Sequence, residues 1–458
     1  MKGKTEKHVV VLGAGSCGLS AGWKLAQNGC RVSILENEAD IGGLTGRMMY
    51  GNNIYEYGTH VFHTDSRELK KDLKNLLGPY MFEFERGSRL YIKFQDKYFR
   101  YPLNSMDFIQ GLPLGLLAVC AYDFLKYNLM DQFKKEYSNA EEILTYKFGK
   151  KLYEIFFKDY TAKQWGLSPT EIDVDLVRQR ITRGDVFRVV KEFIEKLGLG
   201  PHFNSHPQTE RSIGQLYYTE DGIWGICCGI AQFIKANNGK ILLNTRPIRI
   251  VNNVDKIFVE YESNGGTDII EADHVISSIP LPVFIEILSD VPWEIRQAAR
   301  RLRYRAMVVL GMLIDKKQVT EAICFYFRDK VYNRLAEPTN HGLRVSPSGK
   351  SILLAELACN FGDDVWDFSD ELAEEIINDI VSEGLLDYKN VLEMHKLRYR
   401  YAYPIYHAGY KKDVVRVLDY LEGVSNVQSV GRQGAFNYVN MHVTMQMGIE
   451  SARAIIED

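Results

Sequence analysis

The 458-residue chain lacks the features that mark metal proteins, disulfide scaffolds and nucleic-acid-binding proteins. Its seven cysteines are scattered, with no CxxC pair and no spacing typical of a zinc site. The formal net charge is only −3, so no field of one sign favours nucleic acid. We therefore predict no metal ion and no nucleic-acid partner. The odd number of cysteines is typical of free thiols in a reducing compartment.

Long apolar runs are also missing. The apolar run after the charged start Met-Lys-Gly-Lys-Thr-Glu-Lys is short and ends at Gly13, which favours a strand over a signal peptide. A second apolar segment, Leu112–Tyr122, is too short to span a bilayer and contains Pro113 and Gly115. We interpret it as a buried helix, with contact to a membrane surface as the weaker alternative. We predict a cytoplasmic protein without a transmembrane segment.

The first forty residues fit a β-α-β unit. His8–Leu12 is a nearly continuous apolar run, as expected of a strand buried on both faces. Helical spacing follows over Ser16–Gln27, and Arg31–Glu36 predicts a second strand. This order of elements is the setting in which a glycine-rich loop binds a dinucleotide.

The loop between this strand and helix contains a Gly-x-Gly-x-x-Gly pattern formed by Gly13, Gly15 and Gly18. The first glycine permits a tight turn, the second lets a pyrophosphate approach the backbone, and the third lets the helix pack closely on the strand. The N-terminus of the helix supplies N–H groups to the phosphate. Glu36 ends the second strand, where a carboxylate can accept hydrogen bonds from ribose hydroxyls. The pattern predicts a bound dinucleotide.

The residues Ile41-Gly42-Gly43-Leu44-Thr45-Gly46-Arg47 follow directly and favour FAD over NAD. A glycine pair here lets a second stretch of backbone approach the cofactor, and Thr45 and Arg47 have polar groups for its oxygens. The two motifs together resemble the large FAD family that includes amine oxidases and protoporphyrinogen oxidases. By that resemblance, Ala272–Pro280 is a returning strand of the nucleotide domain, and Ile248 belongs to a strand that packs on adenine.

The remaining patterns predict the domain organisation. Residues 105–204 are mostly helical in pattern, and strand signals return after Lys240. We predict an α/β fold with a Rossmann-like FAD-binding domain formed by residues 1–104, 205–285 and 395–458. A helical substrate-binding domain is inserted over residues 105–204, and residues 286–394 form an antiparallel β-sheet domain that binds substrate.

The segment Tyr57-Gly-Thr-His60-Val-Phe-His63-Thr64 narrows the function further. In a strand, His60 and Phe62 would face one way and His63 the other, so a metal could not bind both histidines. The residues alone favour one buried, hydrogen-bonded histidine. The segment closely resembles a stretch of UDP-galactopyranose mutases in which the first histidine lies against the flavin ring. The resemblance implies that role for His60.

The segment Leu152–Gly166 resembles a helical segment of the same mutases, and in those enzymes this segment binds the nucleotide base. Tyr160 and Trp165 offer flat faces for stacking, although two aromatic residues in a helix more often belong to a core. The hairpin Arg89–Asn104 resembles the mutase sequence before the helical insertion.

Three arginines follow the aromatic helix, at positions 178, 180 and 183, and such a group suits a diphosphate. The mutases carry arginines here. By that resemblance Arg180 matches in position, whereas Arg183 is offset by one residue. Arg178 is better explained as part of a solvated charged face.

Near the C-terminus, Val430–His442 resembles the mutases without a gap. By that resemblance Arg432 and Tyr438 lie by the sugar diphosphate, and the last helix begins near Asn440 with its positive end toward the flavin. Bacterial mutases usually have aspartate in place of Asn440 and tend to have tyrosine in place of Phe436. These departures leave the nucleotide base and the sugar open.

The motif and the resemblance together assign the site residues. The predicted cofactor-binding residues are Gly13, Gly15, Ser16, Gly18, Glu36, Gly43, Leu44, Thr45, His60, Ile248, Gly431, Asn440 and Met441. The predicted catalytic residues are His60, Arg180 and Arg432. The predicted substrate-binding residues are Tyr160, Trp165, Arg183, Asn104, Phe436 and Tyr438.

The resemblance implies a flavin-dependent mutase that interconverts the pyranose and furanose forms of a nucleoside-diphosphate hexose. In such enzymes N5 of reduced FAD attacks the anomeric carbon, which agrees with the absence of a nucleophile elbow and of paired carboxylates from the sequence. The partners implied are a nucleotide sugar and a reductant, and a homodimer is left open. The alternative is an oxidoreductase of the protoporphyrinogen oxidase or amine oxidase kind.

Overall fold

A parallel sheet formed from distant parts of the sequence carries the predicted nucleotide-binding unit. The computed structural model describes residues 7–84, 90–94, 97–101, 111–131, 133–180, 215–253 and 255–458. The parallel strands are β1 (His8–Leu12), β2 (Arg31–Leu35), β9 (Lys240–Leu242), β13 (His274–Ser277) and β19 (Val427–Ser429). They lie in the order β19-β13-β1-β2-β9. All five residues of β1 are buried, as expected of a strand covered on both faces.

A second, larger sheet lies beside the first. Its strands are β6 (Leu90–Phe94), β7 (Lys97–Tyr101), β14 (Tyr304–Ile314), β15 (Cys324–Tyr326), β16 (Arg334–Ala336), β17 (Ser351–Cys359) and β18 (Val391–Pro404). Their order is β18-β14-β17-β16-β15-β6-β7, and all pairs are antiparallel except β15 with β6. Alternate residues of β14 enter two cores, with Met307 and Val309 in one and Val308 and Leu310 in the other.

Three smaller sheets complete the described strands. A three-stranded antiparallel sheet consists of β10 (Thr245–Asn252), β11 (Ile257–Ser263) and β12 (Gly266–Ala272). Two antiparallel ribbons pair β3 (Arg47–Tyr50) with β4 (Asn53–Glu56), and β5 (Met81–Phe84) with β8 (Leu216–Thr219).

The described helices are α1 (Ser16–Gln27), α2 (Arg67–Leu77), α3 (Leu114–Asp131), α4 (Ala140–Phe148), α5 (Lys150–Leu152), α6 (Lys158–Trp165), α7 (Val174–Arg180), α8 (Trp224–Ala236), α9 (Leu281–Ile287), α10 (Trp293–Arg301), α11 (Asp364–Asp367), α12 (Asp370–Ser382), α13 (Tyr410–Glu422), α14 (Gly431–Gly434) and α15 (Met441–Glu457). A π-helical turn at Tyr153–Phe157 joins α5 to α6. Within the described ranges, no helix has the length and apolar character needed to cross a bilayer.

The predicted α/β class is confirmed, with the β-α-β unit at the residues expected. Helices α3 to α7 occupy the described residues between β7 and β8, where the helical insertion was predicted. The domain boundaries remain a proposal. The seven-stranded sheet includes β6 and β7 from before residue 104, and β18 extends across residue 394.

Candidate active site

The loop between β1 and α1 has the shape of a cradle for phosphate groups. Gly13 has a φ of +93°, a conformation that favours glycine. A Cβ at Gly18 would overlap the carbonyl oxygen of Gly13, so only glycine lets α1 lie this close to the loop. A Cβ at Gly15 would meet no described atom closer than 3.9 Å. The space in front of Gly15 is therefore open, and the first-turn N–H groups of α1 lie beside it.

Glu36 follows β2 and is only 8% exposed. Its Oε2 accepts a hydrogen bond from the Ala14 N–H at 2.7 Å, and its Oε1 accepts one from the Glu38 N–H at 3.0 Å. Burial raises the pKa of this carboxyl, and the two N–H donors oppose that shift. Each carboxylate oxygen keeps a further lone pair, so the position suits the predicted ribose contact.

Strand β10 begins beside Glu36. The Thr245 N–H donates to the Glu36 carbonyl oxygen at 2.8 Å. Ile248 lies three residues further along this strand, at a break in register between Pro247 and Arg249, and is half-buried. The adenine contact of Ile248 stays a prediction.

The second glycine motif contacts the first. A Cβ at Gly43 would lie 3.3 Å from the Cα of Gly15, and the φ of Gly43 is +55°. Thr45 is buried, and its hydroxyl donates to the Gly42 carbonyl oxygen at 2.8 Å. The Thr45 side chain therefore holds the turn that includes Leu44 and brings Gly43 against the phosphate cradle.

Helices α1 and α15 meet at their N-terminal ends. The hydroxyl oxygens of Ser16 and Thr444 lie 3.1 Å apart, and a Cβ at Gly448 would overlap the carbonyl oxygen of Cys17. Of these two described helices, neither has a side-chain cap at its N-terminus. Two positive dipole ends are therefore brought together, which favours a ligand that carries negative charge.

Three predicted residues lie where α14 and α15 begin. Gly431 starts α14 with a φ of +85°, and a Cβ there would lie 2.7 Å from Sγ of Cys17 on α1. Asn440 is the residue before Met441, the first of α15. The Asn440 Nδ2 atom lies 3.4 Å from Nε2 of His63. The C-terminal segment thus packs against the first turn of α1.

His60 lies in an irregular segment after β4 and is half-buried. Its Nδ1 lies 3.1 Å from the carbonyl oxygen of Gly58, which can only accept, so Nδ1 carries the proton and Nε2 is left as an acceptor. Burial, with the nearby Arg334 and Arg432, lowers the pKa of His60 to about 3. His60 is therefore a neutral imidazole at physiological pH.

This lowered pKa predicts a pH effect on stability. Between about pH 3 and the ordinary value of 6.5, the unfolded chain protonates this histidine and the folded chain does not. The contribution of His60 to the free energy of unfolding is therefore lost as the pH falls through this window. In this window the free energy of unfolding of the wild-type protein should rise with pH more steeply than that of His60→Gln, by the equivalent of about one bound proton. Urea unfolding of both proteins at several pH values measures the difference. An unchanged slope would contradict the assignment.

An ion pair between Arg334 and Glu356 lies near His60 and joins strands β16 and β17. Arg334 on β16 donates to the carboxylate of Glu356 on β17 and to the hydroxyl of Tyr403 at 3.1 Å. Glu356 is 2% exposed and accepts from the Thr59 N–H at 2.8 Å. Burial alone would lower the pKa of Arg334, but Glu356 raises it well above its ordinary value. Glu356 thus positions both a permanent cation and the loop that carries His60.

Two aromatic rings lie beside Arg432, and a third packs against both of them. The rings of Trp165 and Tyr438 lie 5.2 Å apart, and Tyr403 lies 5.3 Å from Tyr438 and 6.0 Å from Trp165. The guanidinium carbon of Arg432 lies 5.1 Å from the Tyr438 ring, and its Nε donates to the Val439 carbonyl oxygen at 2.9 Å. The predicted residues Trp165, Arg432 and Tyr438 therefore meet in one place.

Tyr160 lies near the same group. Its ring is 6.1 Å from that of Tyr326, and Arg334 is close enough to act on its hydroxyl. Burial nevertheless raises the pKa of Tyr160 well above 10. The hydroxyl is thus a neutral group beside a cation.

Other predicted substrate residues are not brought into this cluster. Phe436 is 1% exposed and packs against Tyr304, Tyr406 and Tyr410 at ring distances of 5.0 to 6.1 Å. This placement does not support the predicted substrate contact of Phe436, because the ring belongs to the core. Arg180 ends α7 without a described side chain, and Asn104 and Arg183 lie outside the described residues.

Sequence reasoning missed Arg334, Glu356 and Tyr403. All three lie on strands of the seven-stranded sheet, outside the segments that resemble the mutases. A buried carboxylate in the apolar strand Ser351–Cys359 was the available signal, since such a group needs a partner. Within the described ranges, no group of three or more His, Cys, Asp or Glu side chains is arranged to hold a metal ion.

Comparison with known proteins identifies the fold that carries this site. The model of the family described as flavin-containing amine oxidoreductase matches residues 16–456. The chain belongs to this family. This family match indicates that the cofactor is a flavin, and the glycine loop is the part of the fold suited to bind it.

A Klebsiella pneumoniae protein described as a probable UDP-galactopyranose mutase is 27% identical over 38% of this chain. An Escherichia coli dTDP-fucopyranose mutase is 27% identical over 45% of this chain. The alignments span about half of these relatives, 45% and 56% of their lengths.

Solved structures show the same fold over nearly the whole chain. A reduced UDP-galactopyranose mutase covers 98% of this chain and 96% of its own with a TM-score of 0.80 at 18% identity. A proposed protoporphyrinogen oxidase from Exiguobacterium gives a TM-score of 0.74 at 16% identity, covering 99% of this chain and 100% of its own. The predicted resemblance to UDP-galactopyranose mutases is confirmed.

Proposed function

We propose that this protein is an FAD-dependent mutase that interconverts the pyranose and furanose forms of a nucleoside-diphosphate hexose. The observation that carries the proposal is that two cations lie against Tyr403: Arg334 donates to its hydroxyl at 3.1 Å, and the guanidinium carbon of Arg432 lies 6.0 Å from the centre of its ring. Two arginines with aromatic rings beside them suit a diphosphate attached to a flat base. An apolar substrate would bring no negative charge to these two cations.

The cofactor site supports FAD by its shape and charge. Gly13, Gly15 and Gly18 would accept the pyrophosphate against the N-terminus of α1, and Glu36 would accept the ribose hydroxyls. The N-terminus of α15 would stabilise negative charge on a reduced flavin. Reduced flavin, when bound, supplies an electron pair at N5 for displacement at the anomeric carbon.

The chain's own residues stabilise charge and fix orientation. Arg334 and Arg432 would bind the diphosphate as it leaves the sugar and hold it near for its return. Trp165 and Tyr438 would form the walls of that site, and Tyr160 would face the nucleotide. His60, neutral and with its Nδ1 proton held by Gly58, would present an acceptor to the flavin side. Arg180 remains a proposed catalytic residue, and Arg183 and Asn104 remain proposed substrate contacts.

The direct test is an assay of the dithionite-reduced protein with a panel of nucleotide hexoses that includes uridine and thymidine diphosphate sugars. We expect a furanose product from at least one of them with reduced protein, none with oxidised protein, and no net redox change. A reductant for the flavin is thus a required partner. An oxidoreductase would instead consume an acceptor such as oxygen, and oxygen uptake without furanose product would contradict the proposal.

A further inference from the structure

Lys163 lies on α6 between Tyr160 and Trp165, the two aromatic residues assigned to the nucleotide. It is half-buried, and its Nζ atom is surrounded by backbone carbonyl groups. The ammonium group donates hydrogen bonds of 2.7, 2.8 and 3.0 Å to the carbonyl oxygens of Phe327, Lys330 and Tyr332. An ammonium group has three N–H donors, so all three are used in this contact.

The three carbonyl groups belong to the turn between β15 and β16. A hydrogen bond from the Phe327 N–H to the Asn333 carbonyl oxygen at 2.9 Å closes this turn. Strand β16 begins with Arg334, two residues after Tyr332. Lys163 is therefore bonded to the stretch of backbone that leads directly into Arg334.

Gln164 adds a second contact between α6 and the same turn. Its Oε1 accepts a hydrogen bond from Nδ2 of Asn333 at 3.1 Å, and Oδ1 of Asn333 accepts one from the Ala358 N–H at 3.1 Å. Arg305 on β14 binds the C-terminal end of the helix, since it donates to the carbonyl oxygens of Lys163 at 3.0 Å and Gln164 at 3.2 Å. The end of α6 is thus fixed to the seven-stranded sheet by directional hydrogen bonds.

The two cations in this contact are buried at a cost. Burial lowers the pKa of Lys163 to about 8, and nearby Asp329 opposes that shift. Burial also lowers the pKa of Arg305, which is 4% exposed. Apolar side chains would hold the helix on the sheet without this cost. Apolar contacts are non-directional, however, so they would let the turn slide along the helix, whereas three hydrogen bonds from one ammonium group fix its position.

We propose that Lys163 is a positioning residue that sets the distance between the aromatic wall of α6 and Arg334. This role rests on the proposed function, in which Tyr160 and Trp165 contact the base and Arg334 binds the diphosphate of the same nucleotide. Base and diphosphate are joined covalently, so both contacts form together only when their spacing in the protein matches that in the ligand. Lys163 acts through the turn and does not contact the nucleotide.

Isothermal titration calorimetry of the flavin-loaded, full-length protein with UDP, thymidine diphosphate and inorganic pyrophosphate tests this role. Lys163→Met keeps the apolar stem and removes the three donors. For the nucleotide that the wild-type protein binds more tightly, we expect the dissociation constant to rise at least about 10-fold, and for pyrophosphate less than about twofold. Pyrophosphate needs only the cations, so a general loss of stability would not separate the two ligands.

Lys330→Met is the matched control. The Lys330 side chain lies on the same turn, is 17% exposed and pairs with Asp379 of α12 at 2.8 Å. Its removal should leave both dissociation constants unchanged, because the contact with α6 is kept. The flavin spectrum and the melting temperature show whether each variant is folded. If Lys163→Met does not fold, Gln164→Met removes only the hydrogen bond to Asn333 and should show the same preferential loss of nucleotide affinity by a smaller factor.

Three results would contradict the positioning role and leave the proposed function intact. They are unchanged nucleotide affinity in Lys163→Met, equal losses for nucleotide and pyrophosphate, and an equally large loss in Lys330→Met. Wild-type protein that binds neither UDP nor thymidine diphosphate would instead contradict the proposed function and, with it, the role of Lys163.

Discussion

Arg334→Ala is expected to lower turnover of the reduced protein at least about 100-fold and the free energy of unfolding by about 3–5 kcal/mol. Turnover falls because one of the two cations that would bind the leaving diphosphate is removed. Stability falls because Glu356, 2% exposed, loses the partner of its buried charge. Single-turnover kinetics and urea unfolding of the same protein measure the two effects.

A second substitution separates the two roles of Arg334. In the double variant Arg334→Ala with Glu356→Gln, no unpaired buried carboxylate remains, so most of the lost stability should return. Turnover should stay low, because the cation is still missing. If turnover recovered together with stability, Arg334 would act only as the partner of Glu356, and its proposed contact with the diphosphate would be wrong.

Gly15→Ala is expected to weaken FAD binding at least about 100-fold while the fold is retained. The added methyl group would meet no described atom closer than 3.9 Å, and the φ of Gly15 is −74°, which suits alanine. The methyl group would instead occupy the space in front of the α1 N-terminus, where the pyrophosphate would lie. Flavin content after purification and titration of the apoprotein with FAD measure the effect.

Two other glycines provide the controls for this substitution. A Cβ at Gly266, on β12, also meets no described atom closer than 3.9 Å, so Gly266→Ala should bind FAD normally. Gly18→Ala should destabilise the protein, because its Cβ would overlap the Gly13 carbonyl oxygen. Normal FAD affinity in Gly15→Ala would contradict the placement of the pyrophosphate.

The nucleotide half of the site could be predicted from the sequence because its determinants are local. The glycines at positions 13, 15 and 18 act within one turn, and their spacing directly reflects close backbone approach. Trp165, Arg432 and Tyr438 were reached through the resemblance to mutases, and the structure brings their side chains together.

The other half depends on contacts between distant parts of the chain. Arg334 and Glu356 meet only because β16 and β17 pair in a sheet. No local sequence pattern indicates which residues of the two strands lie opposite each other. Tyr403 was not predicted, because β18, which carries it, is the edge strand of its sheet and much of it is exposed, Arg398 and Arg400 included. Phe436 was misassigned because an aromatic residue beside site residues has the same sequence signal whether it faces a ligand or the core.

The measurement that tests the central claim most directly follows the bond between the anomeric carbon and the diphosphate. A nucleotide hexose labelled with ¹⁸O in that bridging oxygen would be incubated with reduced and with oxidised protein, and the label located by ³¹P NMR. Our account predicts that reduced protein moves the label into the non-bridging positions of the β-phosphate, and that oxidised protein does not. Label that stays in place with every hexose that the reduced protein binds would contradict the proposed mutase.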